Sequence, residues 1–599
     1  MLYKSLTLAS AIGLCAVSAQ KPGSLKQENH PTLQTSTCTK SGGCQQKAGK
    51  VTVDSNWRWI HKDGEPTDCY HGNEWDTTLC PDPQTCSQSC VLEGADEEYE
   101  DTYGIKASGN SIDLTFITQG PYSKNVGSRT YLMQDDENYQ MFKLKNKEFT
   151  FDVDVSHLPC GLNGALYFVQ MDQDGGKSKY PGNTAGAKLG TGYCDAQCPH
   201  DLKWINGETN NEDWVPSKTD PNAGTGKYGT CCVEMDIWEA NAISEAFTAH
   251  SCAVGQQTRC EGVDCGDTAK GERFKGVCDK NGCDFQTYRL GNTSFWGSGS
   301  GFAIDTTRKM TVVTQFITVD GTDSGVLKEI RRFYKQGDTV IQTPALPVGG
   351  SGSYNSLSTD YCTAEAKLFN DGTNFLQKGG MSSMDAAMEK GMVLVMSLWD
   401  DHEANMLWLD STYPVNGTKP GDARGTCPTT SGVPKDVEQK YPSSHVTYSN
   451  IRFGEIGSTV PSGPSPPGPS PPGPSPPGPP SDCPGGTLST CIAACPSDPL
   501  SAYQACVQEC VKRCSSQTKA EVLAASAENG SCKKWGMCAK DDCCPTGWEC
   551  TARAGGALKQ CAPSTPLVAA FMATHPSAKA IDAFMANGTT HFPASGLAH

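Results

Sequence analysis

The chain has 599 residues, too many for one ordinary domain, and its 63 Gly, 38 Pro and 31 Cys indicate loops, a linker and disulfides. A formal charge of −17 sets aside nucleic acid and anionic membrane as partners and suits a neutral or cationic one.

The first twenty residues, MLYKSLTLASAIGLCAVSAQ, carry an early lysine, an apolar stretch of signal-peptide length and a Val-Ser-Ala boundary, predicting a cleaved secretion signal over 1–19. No later segment approaches the ~18 uncharged apolar residues needed to cross a bilayer, so no membrane partner is expected. Without Cys15, eighteen cysteines lie from Cys38 to Cys427 and twelve from Cys483 to Cys561. Two even sets predict closed disulfides in separate domains, formed in an oxidising compartment, and hence a secreted, extracellular protein. Sequons at Asn292, Asn416, Asn529 and Asn587 fit that route.

From residue 20 to 460 the dominant period is two. Phe149, Phe151, Val153 and Val155 alternate with polar residues, and similar patterns run over 111–118, 302–319 and 446–453, predicting half-buried antiparallel strands. Long Gly, Asn and Asp-rich loops separate them and helical periodicity is scarce, so the fold class is all-β, a two-sheet sandwich. Loops this long can roof one sheet face into a groove or tunnel.

Within this region, Cys231 to Asn241 reads CCVEMDIWEAN and places Glu234, Asp236 and Glu239 on one strand-like stretch. Taken alone, such a cluster is a solvated acidic strand edge, a calcium site or a catalytic carboxylate pair. Its surroundings favour the last. The pattern Glu-x-Asp-x-x-Glu resembles the active-site strand of glycoside hydrolase family 7. The resemblance extends over most of 28–458 through NWRW at 56–59, CGLNGALYF at 160–168, KYPGNTAGAKLGTGYCDAQCP at 179–199, YRLGNTSF at 288–295 and MVLVMSLWDD at 392–401.

This resemblance implies a concanavalin-like β-jelly-roll sandwich whose long loops form a tunnel, and a retaining glucanase acting on cellulose or another β-1,4-glucan without cofactor or metal. It makes Glu234 the nucleophile, Glu239 the general acid and then base, Asp236 the partner that tunes the nucleophile, and His250 a residue of the leaving-group side. Retention needs two carboxyl groups about 5 to 5.5 Å apart, one ionised and one protonated. On an ideal strand Glu234 and Asp236 share a face, but Glu239, five positions from Glu234, faces away, with the two backbones ~16 Å apart at ~3.3 Å per residue. A bulge or sharp twist between Asp236 and Glu239 is therefore expected.

By the same resemblance, Trp59 lies toward the entrance of the sugar track, Trp57 further in, Trp399 before the cleavage point and Trp408 beyond it. Arg129, Asn163, Tyr167, Gln197, Arg273, Arg289 and Arg424 match substrate-facing positions, with Arg273, Arg289 and Arg424 toward the product side. Full-length loops at 206–230 and 260–283 favour a processive cellobiohydrolase that releases cellobiose from reducing ends over an endoglucanase. Departures from the family are Ala269 and Glu403 at loop tips that often hold tyrosines, Asn281 for a product-side aspartate, and Ala196 for a serine beside the nucleophile. The implied disulfides are Cys38–Cys44, Cys69–Cys90, Cys80–Cys86, Cys160–Cys427, Cys194–Cys232, Cys198–Cys231, Cys252–Cys278, Cys260–Cys265 and Cys283–Cys362.

Beyond 460 the repeat Pro-Ser-Pro-Pro-Gly over 461–482 reads as a semi-rigid linker, extending roughly 60 Å at ~3.1 Å per residue. Cys491, Cys495, Cys506 and Cys510 follow a C-x3-C, C-x3-C pattern that predicts a disulfide-stapled α-hairpin within 483–530. Six cysteines over 531–562, with CKKWGMC and GWEC, resemble a shortened fungal-type cellulose-binding module with Trp535 and Trp548 as flat anchors; a mini-domain whose tryptophans merely pack is the other reading. The tail, 563–599, has no interpretable pattern. A monomer is expected. A non-catalytic, lectin-like wall-binding protein on the same sandwich would have a broken carboxylate pair, whereas Glu234 and Glu239 are both present.

Overall fold

The computed structural model describes residues 20–120, 123–267 and 272–460, and the backbone of two further strands, Trp548–Ala552 and Lys559–Pro563. The signal segment, the linker, the 483–530 hairpin and the 564–599 tail lie outside the described residues. The chain divides into two compact units, Met1–Ser465 and Pro466–His599. In the second, the two strands pair antiparallel with Cys550 opposite Cys561.

The first unit is built on a ten-stranded and an eight-stranded sheet. Alternation drives their packing: Phe149, Phe151 and Val153 of Lys147–Asp154 are fully buried, because residues two apart share one strand face. They meet the other sheet edge-on, with Phe149 5.1 Å from Phe168 and Phe151 5.8 Å from Trp238 between ring centroids, contacts worth about 0.5–1.5 kcal/mol each beyond area burial.

Half-burial holds less well in the eight-stranded sheet. Leu162–Val169 is buried at every position, since one face meets the ten-stranded sheet and loops cover the other. A second apolar cluster on that side includes Tyr131, Tyr167, Tyr193, Val169 and Val395. Covering loops thus turn this sheet into the floor of a cleft.

Strand limits differ from the sequence pattern in two places. The 111–118 run splits into Ser111–Thr115 and Ile117–Gln119, the latter pairing with Lys124–Val126. Within 302–319 the long strand starts only at Met310, because the Asp305 carboxylate binds the amides of Gly299 and Thr307 and closes a turn first. Two helices, Thr359–Phe369 and Gly380–Lys390, were not expected. Ser358 caps the first by accepting from the Tyr361 amide, and Asn370 ends it at φ 58°.

All nine implied disulfides are present. Cys194–Cys232 and Cys198–Cys231 fasten the 194–198 segment to the residues just before Glu234.

Candidate active site

The strand Glu234–Ala240 lies between Leu162–Val169 and Glu245–His250 in the eight-stranded sheet. Its pairing with Glu245–His250 shifts register between Asp236 and Glu239, and its pairing with Leu162–Val169 shifts between Leu166 and Phe168. This is the expected bulge. Met235, Ile237, Trp238 and Ala240 all belong to the core, so two neighbours, Ile237 and Trp238, point the same way. The doubled inward step returns Glu239 to the face of Glu234 and Asp236, and all three carboxylates line one cavity of ≈1940 Å³.

Each carboxylate has its own holder. Glu234 Oε2 accepts from the backbone N–H of Ala196 at 2.9 Å, so the missing serine hydroxyl leaves a main-chain donor in place. Glu239 Oε1 accepts from Asn163 Nδ2 at 3.0 Å, and Asn163 Oδ1 accepts from the Ala240 amide at 3.1 Å. Asn163, expected to face substrate, is instead fully buried and steadies Glu239; it adjoins Gly164, which pairs with Ala240 just past the bulge, where an amide satisfies both groups. His250 Nδ1 contacts the Asp279 carbonyl at 2.8 Å and Nε2 faces Asp236 Oδ2 at 3.1 Å. A carbonyl only accepts, so Nδ1 carries a hydrogen and Nε2 is left to address Asp236.

Burial sets the protonation of the cluster. It raises Glu239 to about 7, against the opposing pulls of His250 and Asn163. Glu234 is raised by burial and by the charges of Asp236 and Asp195, and Asp236 by burial and by Glu239. Glu234, Asp236 and His250 each place a polar side-chain atom within 4.8 Å of the others. Neighbouring buried carboxyls disfavour a second charge on the pair. The arrangement offers one anionic oxygen and, separately, a protonated acid near neutral pH.

Most of the remaining predicted residues line the same cavity: Trp57, Trp59, Arg129 and Tyr167, then Gln197, Arg273 and Arg289, then Trp399, Trp408 and Arg424. Trp57 and Trp59 are half-buried on either side of Arg58, which is 2% exposed and forms a two-pronged ion pair with Glu28 at 2.6 and 3.1 Å. That pair fixes the loop from which both indoles project. Arg129 donates Nε to Asp54 at 2.9 Å and lies 3.5 Å over the Tyr193 ring, while its buried Nη2 has no protein acceptor. Tyr167 hydroxyl meets Tyr193 hydroxyl at 2.8 Å, and Tyr193 donates to Asp195 at 2.7 Å. Trp399 and Trp408 are stacked with centroids 6.3 Å apart, and Trp408 Nε1 donates to Asp401 at 2.9 Å. Arg289 departs from expectation: its fork makes four hydrogen bonds to protein, with Gly421 O, Asp284, Glu365 and Asp371. Three clustered carboxylates require a counter-charge, and Arg289 supplies it.

Sequence reasoning missed Asp54, Asp195 and Asp401, which orient Arg129, the Tyr193–Tyr167 pair and Trp408. It also missed His402, whose Nδ1 meets the Thr219 carbonyl at 3.1 Å and whose Nε2 lies 3.8 Å from Asp220. This contact brings the 206–230 loop against the end of Met392–Asp400. Of the two loop tips, Glu403 lines the cavity, and Ala269 lies outside the described residues. So does Trp535; Trp548 opens the strand Trp548–Ala552.

Comparison with known proteins places this geometry. A family model described as glycosyl hydrolase family 7 matches residues 22–460. The chain is similar to a solved structure of a GH7 family cellobiohydrolase from Daphnia pulex, at 54% identity and a TM-score of 0.73 over 74% of this chain and 100% of that one. A cellobiohydrolase from Melanocarpus albomyces complexed with cellotetraose matches at 46% identity, TM-score 0.69, over 74% and 99%. An endocellulase from Humicola insolens matches at 37% identity, TM-score 0.62, over 74% and 100%.

Proposed function

The chain belongs to glycosyl hydrolase family 7, and from that premise we propose that Glu234 and Glu239 cleave the β-1,4-glucosidic bonds of cellulose by retaining double displacement. The protein is a cellulase, and the cellobiohydrolase neighbours are nearer to it than the endocellulase. The observation that carries the mechanism is the bulge at Ile237 and Trp238, which turns both glutamates toward one cavity.

In the first step Glu239 gives its proton to the leaving oxygen while the anionic oxygen of Glu234 attacks the anomeric carbon, forming a glycosyl ester. Asp236, whose carboxyl burial and the Glu239 charge push upward, disfavours a second charge beside Glu234, and Ala196 N–H holds one oxygen of Glu234. In the second step Glu239, now a carboxylate, takes a proton from water, which attacks the same carbon and frees Glu234. Indole faces of Trp57, Trp59, Trp399 and Trp408 suit the apolar faces of the sugar rings, and the unpartnered Nη2 of Arg129 suits a hydroxyl.

Processive release of cellobiose from reducing ends is the reading favoured by the 206–230 loop, which reaches His402. The enzyme works as a secreted monomer in this proposal, a setting supported by nine disulfides. The 531–562 module is proposed to hold the enzyme on cellulose. The test is product analysis on crystalline cellulose. Cellobiose should dominate the early soluble sugar, and proton resonances should give the β-anomer first. Initial α-anomer would refute retention, and a random mixture with rapid viscosity loss of soluble glucan would assign endo action.

A further inference from the structure

The segment 279–282 presses against the carboxylate cluster. His250 Nδ1 binds the Asp279 carbonyl, and Gly282, at φ 77°, approaches so closely that a Cβ would sit 2.6 Å from His250 Cε1. Lys280 and Asn281, between these two contacts, both line the cleft. Gln197 donates to the Lys280 carbonyl at 2.8 Å, and its neighbour Ala196 holds Glu234. Arg273 completes the group, donating Nε to Asn281 Oδ1 at 2.9 Å and Nη2 to the Lys280 carbonyl at 3.0 Å.

Charge here runs against the rest of the chain. Among the described residues no carboxylate lies within ion-pair distance of Arg273 or Lys280. Asp267 is taken by His200 at 2.9 Å. Asp279 is 1% exposed, lying under the segment and bound to the Asn281 amide and to Asn374. Asn281 offers Arg273 a neutral amide, and the residue before it adds a lysine. Two cations that repel each other thus face one end of the cleft in a protein of net charge −17.

We propose that this end, on the leaving-group side of the scissile bond, accepts a sugar bearing a carboxylate: a β-1,4-glucan whose end unit is oxidised to an acid. The proposal rests on the glucanase reading above and extends it to anionic chain ends. Both an aldonate at C1 and a uronate at C6 offer a planar carboxylate to the Arg273 fork and the Lys280 ammonium.

The experiment is calorimetric titration of the intact protein with cellobiose, cellobionate and cellobiouronate, beside cellobiose release from cellulose by the same preparation. At low ionic strength one of the acids should bind at least about fivefold more tightly than cellobiose. Which acid does so separates a C1 from a C6 carboxylate. The advantage should shrink in about 0.5 M salt and vanish in Lys280→Gln/Asn281→Asp, read as the ratio of acid to cellobiose affinity measured on that same variant. Acids that bind no better than cellobiose, or a preference that survives in the double variant, would overturn the proposal. Loss of glucan hydrolysis in the same preparation would count against the glucanase reading instead.

Discussion

Glu239→Gln should abolish hydrolysis and stabilise the fold, with a gain that grows with pH. Burial raises the Glu239 carboxyl from an ordinary 4.5 to about 7. The folded state therefore keeps a proton that the unfolded chain releases, and stability contributed by this group is lost as pH rises from about 4.5 through 7. The displacement corresponds to roughly 3 kcal/mol carried by the charged form. Because Glu239 is only half-buried on its cleft side, about 1–3 kcal/mol is the expected measured effect. The amide keeps the shape and still meets Asn163 without the charge. Urea unfolding of wild type and variant at pH 4 and pH 8 should give nearly equal stabilities at the lower value and a variant advantage of about 1–3 kcal/mol at the higher. A constant difference across that range, or a less stable variant at pH 8, would refute the assignment of a buried, protonated acid at this position.

Wild-type kcat/KM should fall as pH rises through about 7, where Glu239 loses its proton. Asn163→Ala should move that limb upward, since the Asn163 hydrogen bond favours the charged form; an unmoved limb would separate Asn163 from the acid. Glu234→Gln should reduce turnover on cello-oligosaccharides at least about a thousandfold without altering circular dichroism, and near-full activity would exclude it as nucleophile. Arg58→Met should cost about 3–5 kcal/mol in urea unfolding by leaving the buried Glu28 without its guanidinium partner; a loss under 1 kcal/mol would mean the ion pair does not hold the Trp57–Trp59 loop.

The irregularity of the strand Glu234–Ala240 was legible because its rule is local. Side-chain parity alone shows that Glu234 and Glu239 cannot share a face of a regular strand, and the register shift at Ile237 and Trp238 resolves the conflict. The helix Thr359–Phe369 was not legible: Thr, Tyr, Cys and Thr are weak helix formers, and its place is set by the Cys283–Cys362 bridge and by the Tyr361 hydroxyl on Asp284 O. Asp54 is equally silent, because its partner Arg129 is 75 residues away. Asn163 matched a family position, yet its direction depends on which side of Leu162–Val169 meets Glu239, a fact of sheet pairing. Arg289 matched too, but its four hydrogen bonds draw on residues from 284 to 421.

The most direct test of the mechanism is mass spectrometry after incubation with a 2-deoxy-2-fluoro-cellobioside carrying a dinitrophenolate leaving group, which forms the ester quickly and releases it slowly. A fluorocellobiosyl adduct on the peptide containing Glu234, localised to that residue, is the predicted result. Consumption of the reagent with no adduct, or an adduct on Glu239, would contradict the account.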